Sequence, residues 1–179
     1  HGHMDHIGAI PYLLGKLGNP PIYTLRLSKA LIEKRQAEFP NEPKPNIIEV
    51  KYGDTRKIGE HFELYFFGVD HTIPDSMGVL VKTPVGNIVN FGDFRLDRDE
   101  KGNVYRMEEI EKVAKMGVHV YLMDSTDALK EGFGISERTV EKNIEDLLRR
   151  APKRIIVTTF SSMITRISEI IKIAEKMGK

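Results

Sequence analysis

His1-Gly2-His3-Met4-Asp5-His6 places three imidazoles and one carboxylate within six residues, and the reading of this stretch decides the fold. In an extended segment residues i and i+2 project to the same side, so His1 and His3 can address one metal ion. If the chain then turns into a helix, Asp5 and His6 can face a second ion beside the first. Imidazole and carboxylate donors suit Zn²⁺ and also Mn²⁺. Taken alone, the stretch has another reading, since purification tags leave His-rich remnants of the Gly-His-Met kind.

Two later segments weigh against the tag reading. Gly68-Val69-Asp70-His71-Thr72-Ile73-Pro74-Asp75-Ser76 sets a single His at a strand end before a Pro turn. Phe91-Gly92-Asp93-Phe94 sets a carboxylate at another strand end. Each is ordinary by itself, because a lone His is commonly structural and an Asp after Gly is commonly a turn residue. Strand ends are nevertheless where ligands collect, since loops there present side chains that the sheet holds in place. His1, His3, His6 and His71 with Asp5 and Asp93 make four His and two Asp as candidate ligands, enough for two adjacent metals bridged by Asp93.

Around these segments the pattern is α/β. A helix is expected over Ile7–Leu17 with Pro11 in its first turns, a short strand over Ile22–Leu25, and a helix over Ser28–Glu38 with Ser28 as N-cap. Pro40, Pro43 and Pro45 mark a loop. Ile47–Tyr52, Phe62–Phe67, Val79–Lys82 and Ile88–Phe91 read as strands, with a hairpin turn at Pro84–Asn87. Helix and strand then alternate. Met107–Lys115 is a helix, Val118–Met123 a buried strand, and Glu137–Arg150 a helix capped by Ser136. That helix carries Val140, Ile144, Leu147 and Leu148 in one stripe. Ile155–Thr159 is a strand, and a last helix striped by Ile164, Ile167, Ile170, Ile171 and Ala174 ends at Gly178.

The 179 residues are 40% hydrophobic and 30% charged, the composition of a soluble globular protein. Twenty-seven Lys and Arg against 26 Asp and Glu leave a net charge of +1. That balance neither requires nor excludes nucleic acid. The absence of Cys removes disulfides and thiolate zinc sites and fits a reducing, cytoplasmic setting. No apolar stretch approaches the roughly 20 residues that span a bilayer, so no membrane partner is expected.

The pattern His-x-His-x-Asp-His, then one His, then one Asp, resembles the metallo-β-lactamase superfamily, and within it the ribonuclease J family. Asp5–Leu14, His71–Ser76 and Gly92–Arg95 are similar to that family's motifs. Asp124-Ser125-Thr126 is similar to the acidic motif that opens its β-CASP insert, and 132–140 and 159–166 to the insert's first stretch. The resemblance implies an αββα-type core over 1–123 and the beginning of a β-CASP domain over 124–179. It places the family's N-terminal strands before His1. A further His ligand and a Ser-Gly-His phosphate-binding segment are placed beyond Lys179.

Carried onto this sequence, the resemblance implies that His1, His3 and His71 hold one zinc, that Asp5 and His6 hold the other, and that Asp93 bridges them. Asp5 and His6 belong to the catalytic centre on this reading. Asp124 joins them there and orients a general-acid histidine. Ser125, Ser161 and Ser162 are candidate substrate contacts. The implied activity is hydrolysis of RNA phosphodiester bonds, from an end or internally, by a hydroxide activated by two zinc ions, with Mn²⁺ as another occupant. Single-stranded RNA is the implied partner, in a homodimer or homotetramer or within an RNA-degradation assembly. Asp127 and Met163 depart from the family's pattern, each standing where relatives carry Asn.

Two other functions compete. One is another hydrolase of the superfamily, which would act on thioesters, lactams or tRNA ends. The other is an incomplete, catalytically silent chain that binds RNA or complements a partner chain. Several residues have structural readings. His61 and His119 read as surface or core histidines, and Arg149, Arg150, Lys153 and Arg154 as a helix-terminal basic cluster. Ser161 and Ser162 read as helix N-caps before phosphate contacts, and Tyr65, Phe66 and Phe67 as strand packing.

Overall fold

The computed structural model describes residues 1–99 and 101–178. The chain divides into two compact units, His1–Arg95 with Arg106–Ser125, and Leu96–Tyr105 with Thr126–Lys179.

The first unit opens with two short helices, α1 (Met4–Ile7) and α2 (Ile10–Leu14), where the sequence suggests one. The Gly8 amide closes α1 by donating to the Met4 carbonyl at 2.7 Å. Pro11 has no N–H to continue the ladder, so it sits in the first turn of a new helix, where that donor would be unpaired anyway. Strand β1 (Ile22–Thr24) pairs in parallel with β2 (Ile47–Glu49), and α3 (Arg26–Gln36) lies between them in sequence. Ser28 is not the cap of α3. The helix begins two residues earlier with Leu25 in the cap position, and Ser28 is buried in its first turn. The carboxylate of Asp75, 48 positions downstream of Leu27, accepts the Leu27 amide at 2.7 Å in place of a local cap.

Five strands form the main sheet in the order β3 (Thr55–Ile58), β4 (Phe62–Gly68), β5 (Met77–Thr83), β6 (Gly86–Asn90), β7 (Val118–Leu122). Neighbours from β3 to β6 are antiparallel, and β7 joins β6 in parallel through α4 (Met107–Ala114). It follows that β4, β6 and β7 run the same way and end on one edge of the sheet. Strand β4 is apolar at successive positions because both of its faces are covered. Tyr65 and Phe67 pack with Leu80, Val89, Phe91 and the α4 residue Val113, while Phe66 packs with Leu25 and Val50 on the other side. Phe66, Phe67 and Leu80 are almost wholly buried, and each contributes about 1.5–3 kcal/mol of hydrophobic stabilisation.

Strand β7 is not the buried strand that its apolar sequence suggests. Among the described residues it is the last strand in the sheet order and pairs on one side only. Val113 of α4 packs over residues of β4, β5 and β6, and Val120, Tyr121, Leu122 and Met123 remain about half exposed.

In the second unit α5 (Glu137–Arg150) and α6 (Ile164–Lys176) pack together. Ser136 caps α5 as its sequence indicates, its Oγ accepting the Thr139 amide at 3.2 Å. Of the expected stripe, Leu148 is buried and Val140 and Ile144 half-buried, but Leu147 is exposed. Arg166 donates twice to the Glu137 carboxylate, at 2.8 and 3.0 Å, and ties the two helices. Gly178, at φ +65°, follows the last turn of α6 as its expected stop. Residues 155–159 form no strand among the described residues: they find no neighbouring strand to pair with, and Ile156 is exposed. Ser161 and Ser162 do not cap α6. They lie in the preceding turn, and Met163 takes the cap position without a capping bond from its side chain. No helix among the described residues is long and apolar enough to cross a membrane.

Candidate metal centre

The three segments singled out in the sequence converge in the first unit. His3 is extended (φ −69°, ψ 150°) and serves as the cap position of α1, so His1 and His3 point the same way and their Nε2 and Nδ1 atoms stand 3.0 Å apart. His6 follows in the first turn of α1, where its amide donates to the His3 carbonyl. His71 lies just past the end of β4 and Asp93 just past the end of β6, on the edge these parallel-running strands share. The Arg95 amide donates to the Asp70 carbonyl at 2.8 Å and joins the two loops one and two residues from the site.

The donor atoms form two overlapping groups. His1, His3 and His71 offer three ring nitrogens, with His71 Nε2 3.3 Å from His3 Nδ1. His1, His6 and Asp93 form the second group. One carboxylate oxygen, Asp93 Oδ2, lies 3.1 Å from His6, 3.8 Å from His1 and 3.9 Å from His71. Asp5 falls in neither group. Its carboxylate stands 3.7 Å from His6 Nε2 and is largely exposed.

This donor set fits a divalent cation. His3 Nδ1 faces two ring nitrogens at once, and a proton can bridge only one of those pairs. The other pair is left without a full hydrogen bond of its own, whichever tautomers are present, whereas a cation can take a lone pair from every ring nitrogen. With metal–nitrogen bonds of about 2.0–2.1 Å, a tetrahedral site has nitrogen–nitrogen edges of about 3.3–3.4 Å. The 3.0 and 3.3 Å separations are close to that. Burial lowers the pKa of both His3 and His71, which favours the neutral, lone-pair form that binds metal.

The site is anisotropic. The His1 side chain is 2% exposed, whereas those of His6 and Asp93 are 33% and 35% exposed. A ligand therefore reaches the centre from the His6–Asp93 side. Asp124 lies two residues beyond β7, which pairs with β6 in the register Asn90↔Leu122. Asp124 and Asp93 thus leave the ends of adjacent parallel strands. Ser125 is exposed next to Asp124, and Ser161 and Ser162 belong to the second unit.

The residues that hold these side chains in place leave no local pattern in the sequence. Gly2 packs against α3 so closely that a Cβ there would stand 2.4 Å from Leu31 Cδ1. Tyr52 donates to the Ser76 carbonyl at 3.1 Å while Arg106 stacks over its ring. His119 is structural, accepting the Asn87 amide at 3.0 Å, and Arg149 is paired with Glu145.

Ribonuclease J of Mycoplasma pneumoniae is 42% identical over 174 residues, which cover 97% of this chain and 30% of that protein. Ribonuclease J of Thermus thermophilus is 39% identical over 185 residues, covering 100% and 32%. The chain thus spans under a third of either relative's length. A crystal structure of a protein of unknown function from Enterococcus faecalis shares the fold with a TM-score of 0.66, at 21% identity over 85% of this chain and 39% of that one. The sequence model of the metallo-beta-lactamase superfamily matches residues 1–157, a span containing both groups of converging donors. This chain belongs to the metallo-beta-lactamase superfamily.

Proposed function

We propose that this chain carries the metal-binding part of a ribonuclease that hydrolyses RNA phosphodiester bonds at two divalent cations. The observation that carries the reading is the position of Asp93 Oδ2, within 4 Å of His1, His6 and His71 and so between the two donor groups. The relatives named ribonuclease J supply the substrate class.

His1, His3 and His71 would hold one cation. Asp5 and His6 would hold the other, with Asp93 reaching both. Zinc suits these donors, and Mn²⁺ is an alternative occupant. Bound divalent cations lower the pKa of water and stabilise charge that develops on a phosphodiester. The chain's own residues supply the rest. Burial favours the neutral form of His3 and His71, the Asp93 carboxylate lies on the open side, and the His6–Asp93 face would admit a single strand of RNA. Asp124, leaving the adjacent strand end, orients the group that protonates the leaving oxygen. Residues 1–123 form the catalytic core on this reading. Residues 124–179 begin a β-CASP insert on this reading, with Ser125 in the first unit, and Ser161 and Ser162 in the second, each a candidate RNA contact.

The test combines metal analysis with cleavage of a labelled single-stranded RNA. His71→Ala and Asp93→Ala should each lower metal content and abolish cleavage. Cleavage retained by both variants would overturn the reading.

A further inference from the structure

The loop that carries His71 is locked far more firmly than a turn requires, and its strongest tie leads to α3. Asp75 adopts φ +61°, a left-handed conformation that Asp and Asn tolerate better than other L-residues do. That backbone directs its carboxylate onto the first turn of α3, where Oδ2 accepts the Leu27 amide at 2.7 Å. Helix α3 has no cap from its own cap residue and no acidic residue in its first turn. The Asp75 carboxylate is therefore a charge-assisted cap at the positive end of the helix dipole.

The same helix touches the other half of the donor cluster. Leu31, one turn along α3, packs beneath Gly2, between His1 and His3, and Ile73 of the His71 loop lies against Gly2 as well. Ile73 is 1% exposed. Ser76 Oγ donates to the Ile73 carbonyl at 3.0 Å, and the Ser76 carbonyl receives the Val69 amide and the Tyr52 hydroxyl. His71 and the His1–His3 pair come from segments 68 residues apart in sequence, yet both are referenced to α3.

We propose that Asp75 is a positioning residue that clamps the His71 loop to the start of α3 and so sets the spacing of His71 from His1 and His3. The inference rests on the metal reading given above, but the clamp exists without metal and is tested without it. Asp75→Ala removes both the acceptor and the tolerance for positive φ. Asp75→Asn keeps an acceptor oxygen and that tolerance. Val113→Ala weakens the core under α4, away from the loop, and reports what destabilisation alone does.

In the metal-free full chain, amide hydrogen exchange at Leu27 and at 71–76 should speed up in Asp75→Ala. It should be largely restored in Asp75→Asn and unchanged in Val113→Ala. In a Co²⁺ titration followed by visible absorption, Asp75→Ala should bind about 10-fold more weakly or worse, the loss typical when a partner that orients a ligand is removed. Asp75→Asn should recover most of that affinity, and Val113→Ala should lose none. Unchanged exchange at 71–76 in Asp75→Ala overturns the clamp whether or not metal binds. Faster exchange with unaltered Co²⁺ affinity overturns its role in spacing the ligands. Failure of the unsubstituted chain to bind Co²⁺ refutes the metal reading, and the clamp then stands or falls on exchange alone.

Discussion

His3 Nδ1 and His71 Nε2 stand 3.3 Å apart across 68 residues of sequence. Two neutral ring nitrogens at that distance share at most one hydrogen bond, which is too little by itself to draw together segments so far apart in sequence. The fold imposes the approach, through α1 on one side and the end of β4 on the other. A site preformed in this way binds a cation without the cost of assembling its ligands.

The two donor groups should respond differently to substitution. His71→Ala removes one nitrogen from the three-His group and leaves His1, His6 and Asp93 together. Asp93→Ala removes an oxygen that lies near both groups. Metal analysis after dialysis should show His71→Ala retaining more metal than Asp93→Ala. Equal retention by the two variants would count against Asp93 lying between two sites.

Acid should weaken the metal-free fold in a window set by two half-buried imidazoles. Desolvation lowers the pKa of His3 and of His71, and the charge of His3 adds to the effect on His71. In the unfolded chain both titrate near about 6.5. Below that value the unfolded chain binds more protons than the folded one, so stability falls as pH falls. This contribution is fully present above about 6.5 and is lost as pH drops through the lower folded values. The thermal midpoint of metal-free protein should be lower at about pH 5.5 than at about pH 7.5, and His3→Gln with His71→Gln should reduce the difference. A difference unaltered in that double variant would assign it to other groups.

The residues that converge as candidate donors are legible in the sequence because metal chemistry uses few residue types at fixed spacings. His1, His3, His6, His71 and Asp93 can be named before any coordinates exist. Their supports cannot. The Asp75–Leu27 hydrogen bond spans 48 positions and leaves no local pattern, and the fit of Gly2 over Leu31 looks like any glycine. Strand β3 (Thr-Arg-Lys-Ile) escapes notice because it is a polar edge strand without apolar alternation. The opposite error arises at Val118–Met123 and Ile155–Thr159. Apolar, β-branched runs there imply burial, yet one becomes an exposed edge and the other forms no strand. Helix caps divide the same way. Ser136 is readable from its neighbours, whereas α3 takes its cap from a distant loop.

Gly78 is a packing requirement of the sheet. It pairs directly with Phe67 across β4 and β5, and a Cβ at position 78 would stand 2.2 Å from the Phe67 ring. Phe67 is fully buried and stacks edge-on against Phe91, so its ring has no room to retreat. Gly78→Ala should cost about 1–3 kcal/mol, as overpacking does. Urea unfolding measures it as a lowered midpoint with an unchanged slope. The double variant Gly78→Ala with Phe67→Leu should recover part of the loss relative to Phe67→Leu alone. An unaffected midpoint in Gly78→Ala would mean that the ring moves freely.

Ser136 sets the start of α5, and its loss should be felt in the second unit. Its hydroxyl accepts the Thr139 amide at 3.2 Å, and its extended backbone (φ −65°, ψ 149°) ends the preceding loop. The next amide, that of Glu137, is taken by the buried Asp97 carboxylate at 3.0 Å. Two of the four orphan donors of the helix start are thus satisfied by side chains. Ser136→Ala should cost about 0.5–2 kcal/mol of helix stability, and Ser136→Asp should restore it through the same acceptor and the helix dipole. Hydrogen exchange of the amides at 138–140 checks this, with faster exchange in the Ala variant and near-normal exchange in the Asp variant. Equal protection in all three proteins would assign the start of α5 to Asp97 and to the Arg166–Glu137 pair, with no part for the Ser136 hydroxyl.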